Sequence, residues 1–385
     1  MKPDILKQRK EEITLSYTGK ESEEEILNEI RPAPLEMMYK SKQATLTEAH
    51  NMLVWGDNLP VLKTLATYGW LKGKVKLIYI DPPFATGRLF NGVHDEEIAY
   101  SDTLKGGDFI EFLRKRLLLL REILANDGSI YVHIDWKMSH YVRVLMDEIF
   151  GPEHFINDIT RIKCNPKNFQ RPAYGNIKDT ILFYSKGDEY IWNGSTEKLT
   201  DSDIERLFPF VDKNGRRYTT NPLHAPGETK DGVTGQEWKG MKPPKGRHWR
   251  YPPEKLTELD ELGLIQWSKT GNPRKIIYAK DAVKRGKKRQ DIWDFKDPPY
   301  PHYPTEKNLD MLQTIIKASS SKGDFVLDAF CGSGTTLVAA EMQDRKWIGI
   351  DKSQVSIDTA RRKIGELENL GSVNPYAVYR VRKQD

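Results

Sequence analysis

The chain has 385 residues, a formal net charge of +5, and 30% charged and 38% hydrophobic residues. That supports one large core or two smaller ones in a soluble globular protein, and the basic excess leans towards a polyanionic partner. No apolar run reaches the ~20 residues of a membrane helix, and Met1-Lys2-Pro3-Asp4 does not read as a signal peptide. The two cysteines, Cys164 and Cys331, have neither disulfide nor metal-ligand spacing, so a cytoplasmic protein with no bound metal is expected.

Residues 1–50 carry charge clusters such as Glu23-Glu24-Glu25 and few apolar positions, and are read as an N-terminal arm, helical or partly disordered, with a solvated tail the better reading for most of it. Asn51 to Trp55 is a short apolar strand running into Gly56-Asp57-Asn58, where Asp57 or Asn58 caps a helix from Pro60 to Tyr68. Leu77-Ile78-Tyr79-Ile80 lacks polar alternation, which marks a strand buried on both faces. Pro82 and Pro83 end it, because proline cannot donate to a ladder. Ala85 to Thr103 has no periodicity and is read as a loop over the strand end. Asp108 to Leu124 is an amphipathic helix, Gly128 to Ile134 a strand and Lys137 to Phe150 a helix. His133, near that strand's end, is read as a packed core histidine rather than a base.

From residue 161 to 300 the composition changes. Tryptophans interleave with bases, and prolines and glycines interrupt any helical period. Aromatics among cations suit a surface that follows phosphates and stacks bases. The candidate contacts are Lys245, Arg247 and Arg250 and the run Lys284, Arg285, Lys287, Lys288 and Arg289. After residue 301 the strand–helix rhythm returns. Asn308 to Ala318 is a helix, and Phe325 to Asp328 is a strand that feeds Phe330-Cys331-Gly332-Ser333-Gly334 and a helix start. Trp347 to Asp351 is the next strand, ending in an acid about 20 residues beyond the glycine turn, where nucleotide-binding folds hold ribose hydroxyls. Strand–helix alternation of this kind builds a parallel sheet with its ligand at the strands' carboxyl ends. No phosphate-loop pattern or internal repeat is present.

The stretch Asp81-Pro82-Pro83-Phe84 carries its own chemistry. An exocyclic nucleobase amine is a poor nucleophile because its lone pair is delocalised into the ring. The Asp81 carboxylate and the Pro82 carbonyl would accept its two hydrogens and free that lone pair. Phe84 offers a face for an extruded base, worth about 1–3 kcal/mol of stacking.

With Asp81 to Phe84 and Phe330 to Gly334 both in place, the chain resembles the amino-group DNA methyltransferases that use S-adenosylmethionine. The catalytic stretch precedes the glycine turn, the permuted order of the β class. Trp55 to Leu59 and Leu145 to Gly151 resemble stretches of type III modification subunits, which are usually longer than this chain. That leaves a solitary or type II-like enzyme open. The resemblance implies an α/β fold with a mostly parallel, Rossmann-like sheet, circularly permuted, with an inserted target-recognition region. Its expected divisions are 51–160 (catalytic half), 161–300 (target recognition) and 301–385 (cofactor half). It implies catalysis by Asp81, Pro82, Pro83 and Phe84, and cofactor contacts from Asp57, Asp328, Phe330, Gly332, Gly334 and Asp351. Tyr303-Pro304-Thr305-Glu306-Lys307 resembles the family's His-Pro-Thr-Gln-Lys, whose Thr and Lys, here Thr305 and Lys307, reach the cofactor carboxylate. The implied activity is methylation of adenine N6 in flipped-out, double-stranded DNA. Cytosine N4 is the alternative base, and a silent DNA-specificity subunit the alternative class. A restriction subunit and a second copy of the chain stand as candidate partners.

Overall fold

The computed structural model describes residues 13–41, 50–67, 71–83, 89–91, 98–101, 106–166, 172–229, 231–298, 306–371 and 373–382. The chain divides into two compact units, Met1–Gly194 with Gln290–Asp385, and Ser195–Arg289.

The first unit is built on a ten-stranded sheet. In chain order its strands are β1 (Leu35–Lys40), β2 (Asn51–Trp55), β3 (Val75–Ile80), β4 (Leu124–Ile134), β5 (Phe155–Ile162), β6 (Lys178–Ser185), β7 (Ile292–Asp294), β8 (Phe325–Asp328), β9 (Lys346–Asp351) and β10 (Tyr376–Val381). Across the sheet the order is β1-β10-β2-β9-β8-β3-β4-β6-β5-β7. The block from β10 to β4 is parallel throughout, and β1 and β6 each add an antiparallel neighbour to it. The helices are α1 (Glu23–Glu29), α2 (Asn58–Thr67), α3 (Gly106–Ile123), α4 (Ser139–Phe150), α5 (Leu309–Ser319), α6 (Thr335–Glu341) and α7 (Gln354–Leu370). None of the described helices is long and apolar enough to cross a membrane.

The unbroken apolar strands are explained by two cores, one on each face. Ile78 and Ile80 of β3 pack with Leu62, Leu117 and Leu145 from α2, α3 and α4. Leu77 and Tyr79 of the same strand pack with Ile315, Leu337 and Ile364 from α5, α6 and α7. Leu77, Ile78 and Ile80 have no exposed surface; burying an aliphatic side chain of this size contributes roughly 1.5–3 kcal/mol. Period-2 geometry sends alternate residues to opposite layers, so a strand covered on both faces has no polar position to spare.

The structure corrects three expectations. The segment read mostly as a solvated tail, with a helical arm as the other reading, contains a helix, α1, capped by Ser22 in a reciprocal arrangement with Glu25 and anchored by buried Ile26, and an unexpected strand, β1, which pairs antiparallel with β10. The boundary expected at residue 161 lies instead near residue 195, because β6 continues the sheet by pairing with β4, and β5 by pairing with β6. Residues 290–298 also belong to the first unit, since β7 pairs parallel with β5. Within the stretch read as a loop, Leu89–Asn91 and Ile98–Ser101 pair as a short antiparallel ribbon.

The second unit has a four-stranded sheet, with strands 210–211, 217–222, 273–278 and 265–267 in that order, and a ribbon of His224–Pro226 against Arg247–Trp249. Its core holds Leu223, Trp238, Trp249, Leu256 and Leu259. Trp238 stacks on Trp267 with ring centroids 5.8 Å apart. Trp238 and Trp249 are thus core residues, as is Trp293 in the first unit.

Candidate active site

Four adjacent strands, β2, β9, β8 and β3, each lead at their carboxyl ends to an aspartate: Asp57, Asp351, Asp328 and Asp81. The sheet order changes direction around β8, where doubly wound folds open a crevice. A cavity of about 160 Å³ lies there, lined by all four aspartates and by Pro82, Pro83, Lys307, Phe330 and Gly332. Its wall carries five carboxylates, counting Glu306, against three cations, Arg116, Lys307 and Lys352. A lining of that balance suits a ligand with positive charge.

The turn after β8 is fixed by these carboxylates. Asp328 accepts the Phe330 N–H at 3.0 Å and the Thr336 hydroxyl at 2.6 Å. Burial pushes the Asp328 carboxyl up to about 7, against the lowering effect of those two hydrogen bonds. Asp351 accepts the Gly332 N–H at 2.9 Å and the Ser353 N–H at 2.8 Å, and burial raises its carboxyl too. The turn thus hangs between two strand ends. Gly334 does not line the cavity. Its φ is +78°, and a Cβ there would lie 2.6 Å from the Ala360 Cβ on α7. It serves the left-handed entry to α6 and the close packing of α7, not space for a ligand.

Asp57 accepts the Leu59 N–H at 2.9 Å at the start of α2 and pairs with Arg116 at 2.9 Å. Arg116 is a site residue that the sequence reading did not single out. Its guanidinium stacks 3.5 Å over the Phe112 ring and donates to Asn58 Oδ1, whose amide in turn donates to the Ala329 carbonyl at 2.6 Å. Burial lowers the guanidinium pKa to about 10, against the opposing charge and hydrogen bond of Asp57. The available signal was an arginine inside the apolar stripe of α3, between Leu113 and Leu117. Glu306, where the related motif has glutamine, is gripped by Lys363 of α7, which also reaches the Ser333 hydroxyl at 3.1 Å.

At Asp81, Lys307 Nζ sits 2.7 Å from Oδ2. The resemblance implies a cofactor carboxylate as the partner of Lys307; in this structure its ammonium pairs with Asp81. The other oxygen, Oδ1, is buried and has no hydrogen-bond donor among the described residues. A buried acceptor without a donor is costly and marks a place where a ligand donor fits. Phe84 and Thr305 lie outside the described residues.

The expected nucleic-acid contacts, all in the second unit, divide in two. Lys287 is held by Asp203 at 2.8 Å and Glu197 at 3.2 Å, and Arg289 by Glu197 at 2.9 Å, so these two brace the unit internally. Lys284, Arg285 and Lys288 are exposed. Lys245, Arg247 and Arg250 are also exposed, and the structure brings Arg247, Arg250 and Arg274 together around His224. Burial and then the charges of these three arginines push the imidazole pKa down. Arg274 was not among the expected contacts, because it comes near Arg247 and Arg250 only through the pairing of strand 217–222 with strand 273–278 together with the ribbon that follows it.

A mostly parallel α/β sheet with an acidic cavity at its switch point defines a nucleotide- or nucleoside-binding enzyme fold. Within that class, residues 75–362 match the family described as DNA methylase, and the chain belongs to this N6/N4 DNA methylase family. The chain is 44% identical over 357 residues to the type II methyltransferase M.EcaI of Enterobacter cloacae, covering 91% of this chain and 77% of that one. It is 26% identical over 459 residues to the type III EcoPI Mod subunit of Escherichia phage P1, covering 97% and 68%. It spans about half, 49%, of the 25% identical HindVI Mod subunit of Haemophilus influenzae. Among solved structures, an M1.HpyAVI–SAM complex aligns at a TM-score of 0.43 and 16% identity, covering 81% of this chain and 99% of that one.

Proposed function

We propose that this chain transfers a methyl group from S-adenosylmethionine to the N6 amine of an adenine flipped out of double-stranded DNA. The observation that carries the reading is Asp81 Oδ1, a buried acceptor on the wall of the acidic cavity with no donor among the described residues. There it would take one amine hydrogen while the Pro82 carbonyl takes the other, freeing the nitrogen lone pair. When bound, the methyl donor supplies an electrophilic methyl on a sulfonium. Asp57, Asp328, Phe330, Gly332 and Asp351 would hold it, and the acidic lining suits its cationic sulfur and ammonium. Positioning of amine and methyl in line would carry much of the rate. An aspartate at position 81, rather than the serine usual for cytosine N4, supports adenine.

The unit Ser195–Arg289 would carry target recognition, with Lys245, Arg247, Arg250 and Arg274 as phosphate contacts in preference to Lys287 and Arg289. The test is to methylate DNA with labelled S-adenosylmethionine, digest it to nucleosides and separate them. Label in N6-methyl-2′-deoxyadenosine is the expected result. Label in N4-methylcytosine would replace the base, and cofactor binding without transfer to any DNA would overturn the reading.

A further inference from the structure

Beside Asp81 lies a buried polar row that this chemistry leaves unused. His133 of β4 has no exposed surface. Its Nδ1 is 2.8 Å from the Tyr79 hydroxyl and 3.9 Å from Asp81 Oδ1, and its Nε2 is 3.4 Å from Asp179 Oδ2. Asp179 on β6 is also buried; Lys163 Nζ holds its other oxygen at 2.7 Å, and the buried Arg161 guanidinium stands 3.7 Å away. The row exists because β3, β4 and β6 are consecutive neighbours in the sheet, with His133 opposite Ile181. Packing alone does not call for it, since an apolar side chain would avoid the desolvation that a buried imidazole and carboxylate incur.

The groups facing His133 fix its resting state. Burial makes the imidazole harder to protonate, Asp179 and Asp81 make it easier, and Lys307 makes it harder. Burial opposes charge on Asp179, but His133 and Lys163 outweigh it and hold the carboxyl well below the usual range. The result is a neutral ring with its proton on Nε2, 3.4 Å from an ionised Asp179, and with Nδ1 accepting the Tyr79 hydroxyl at 2.8 Å on the side that faces Asp81. The tautomer follows from these partners.

We infer that His133, backed by Asp179, takes the proton that methylation releases from the target amine, an inference that rests on Asp81 accepting that amine's hydrogen. The amine nitrogen bonds to the methyl carbon as the carbon–sulfur bond breaks with its electron pair going to sulfur. The nitrogen then carries the positive charge that sulfur has lost, and it gives one proton to Asp81 Oδ1. Asp81 passes that proton to His133 Nδ1 as the Tyr79 hydroxyl, 2.8 Å from it, turns its own proton away and becomes an acceptor, leaving an imidazolium between two carboxylates. The one unit of charge that began on sulfur ends on the ring, and the proton returns through Asp81 to water once product leaves. The 3.9 Å gap is about 1 Å longer than a hydrogen bond, as catalytic contacts often are before a ligand binds. His133 touches neither amine nor methyl donor and acts through Asp81.

The test uses single-turnover methyl transfer to DNA from about pH 5 to about pH 9, comparing the wild type with His133→Gln and Asp179→Asn. Wild-type rate should fall on the acid side, below pH 6.5, as the ring arrives already protonated. His133→Gln should be slower by about 100-fold at neutral pH, lack that acid limb and recover as hydroxide rises, with cofactor and DNA affinity unchanged. Asp179→Asn removes the anion that favours the imidazolium, so its acid limb should move to lower pH and its rate should fall. This second variant decides the matter if His133→Gln does not fold. Wild-type rate with an unchanged acid limb in the folded variants overturns the relay. Asp81→Asn separates the two readings. An active Asp81→Asn removes the underlying assignment, whereas an inactive one beside unaltered His133 and Asp179 variants removes the relay alone.

Discussion

Replacing Asp81 by alanine should cost the enzyme at least three orders of magnitude in transfer while sparing cofactor binding. The magnitude follows from two losses. The Oδ1 acceptor has no donor among the described residues, so it is available to the amine as charge develops there. Hydrogen bonds to charged groups are worth about 1.5–3 kcal/mol, which is roughly 10- to 150-fold in rate. Removing the proton acceptor adds about 10²–10⁴-fold. The cavity wall also loses one of its five carboxylates and frees Lys307, now 2.7 Å from Asp81 Oδ2, so cofactor affinity should weaken, but by less than about tenfold. The assay is single-turnover transfer of labelled methyl to DNA, with cofactor affinity measured in parallel by calorimetry. A folded variant that transfers within tenfold of wild type would refute the reasoning.

Three further outcomes are expected. Gly334→Ala should destabilise the first unit by about 2–5 kcal/mol, from left-handed strain and overpacking against Ala360, and a melting temperature equal to wild type would contradict that account. Asp328→Asn should gain stability relative to wild type as pH rises. The buried wild-type carboxyl holds its proton to about 7 in the folded state against 3.8 for its unperturbed value, so wild-type stability is present below 3.8 and declines between those values. Melting curves with a constant offset from pH 5 to pH 8 would rule out Asp328 as the source. Arg247→Ala with Arg250→Ala should weaken binding to cognate and unrelated duplexes alike, flattening log K against log salt by about 0.9 per lost phosphate contact. Lys287→Ala with Arg289→Ala should leave that slope unchanged; the reverse pattern would restore the 284–289 run as the DNA surface.

The chain's local signals were strong where one residue stretch decides the physics. Leu77 to Ile80 could only be a strand covered on both faces, because it offers no polar residue to water, and its two prolines had to end it at Asp81. Phe325 to Gly334 and Trp347 to Asp351 likewise spelled two strands whose ends carry an acid and a glycine turn. Four aspartates at strand ends were therefore legible, and with them most of the cavity. Gly334 was legible as necessary but not for the right reason, since only the position of Ala360 on α7 reveals what its missing Cβ avoids.

What the tertiary structure alone decided was pairing between distant residues. Lys307 meets Asp81, Arg116 meets Asp57, and His133 meets Asp179 only once strand order and register are set. The same holds for the arginines around His224, gathered by one antiparallel ribbon and its neighbouring sheet, and for Lys287 and Arg289, turned inward by Glu197 and Asp203. Hydrophobic period and turn chemistry act between near neighbours along the chain, so a sequence displays them directly. Ion pairs and buried polar rows depend on which strands lie side by side, and that choice is made by the burial of whole sheet faces.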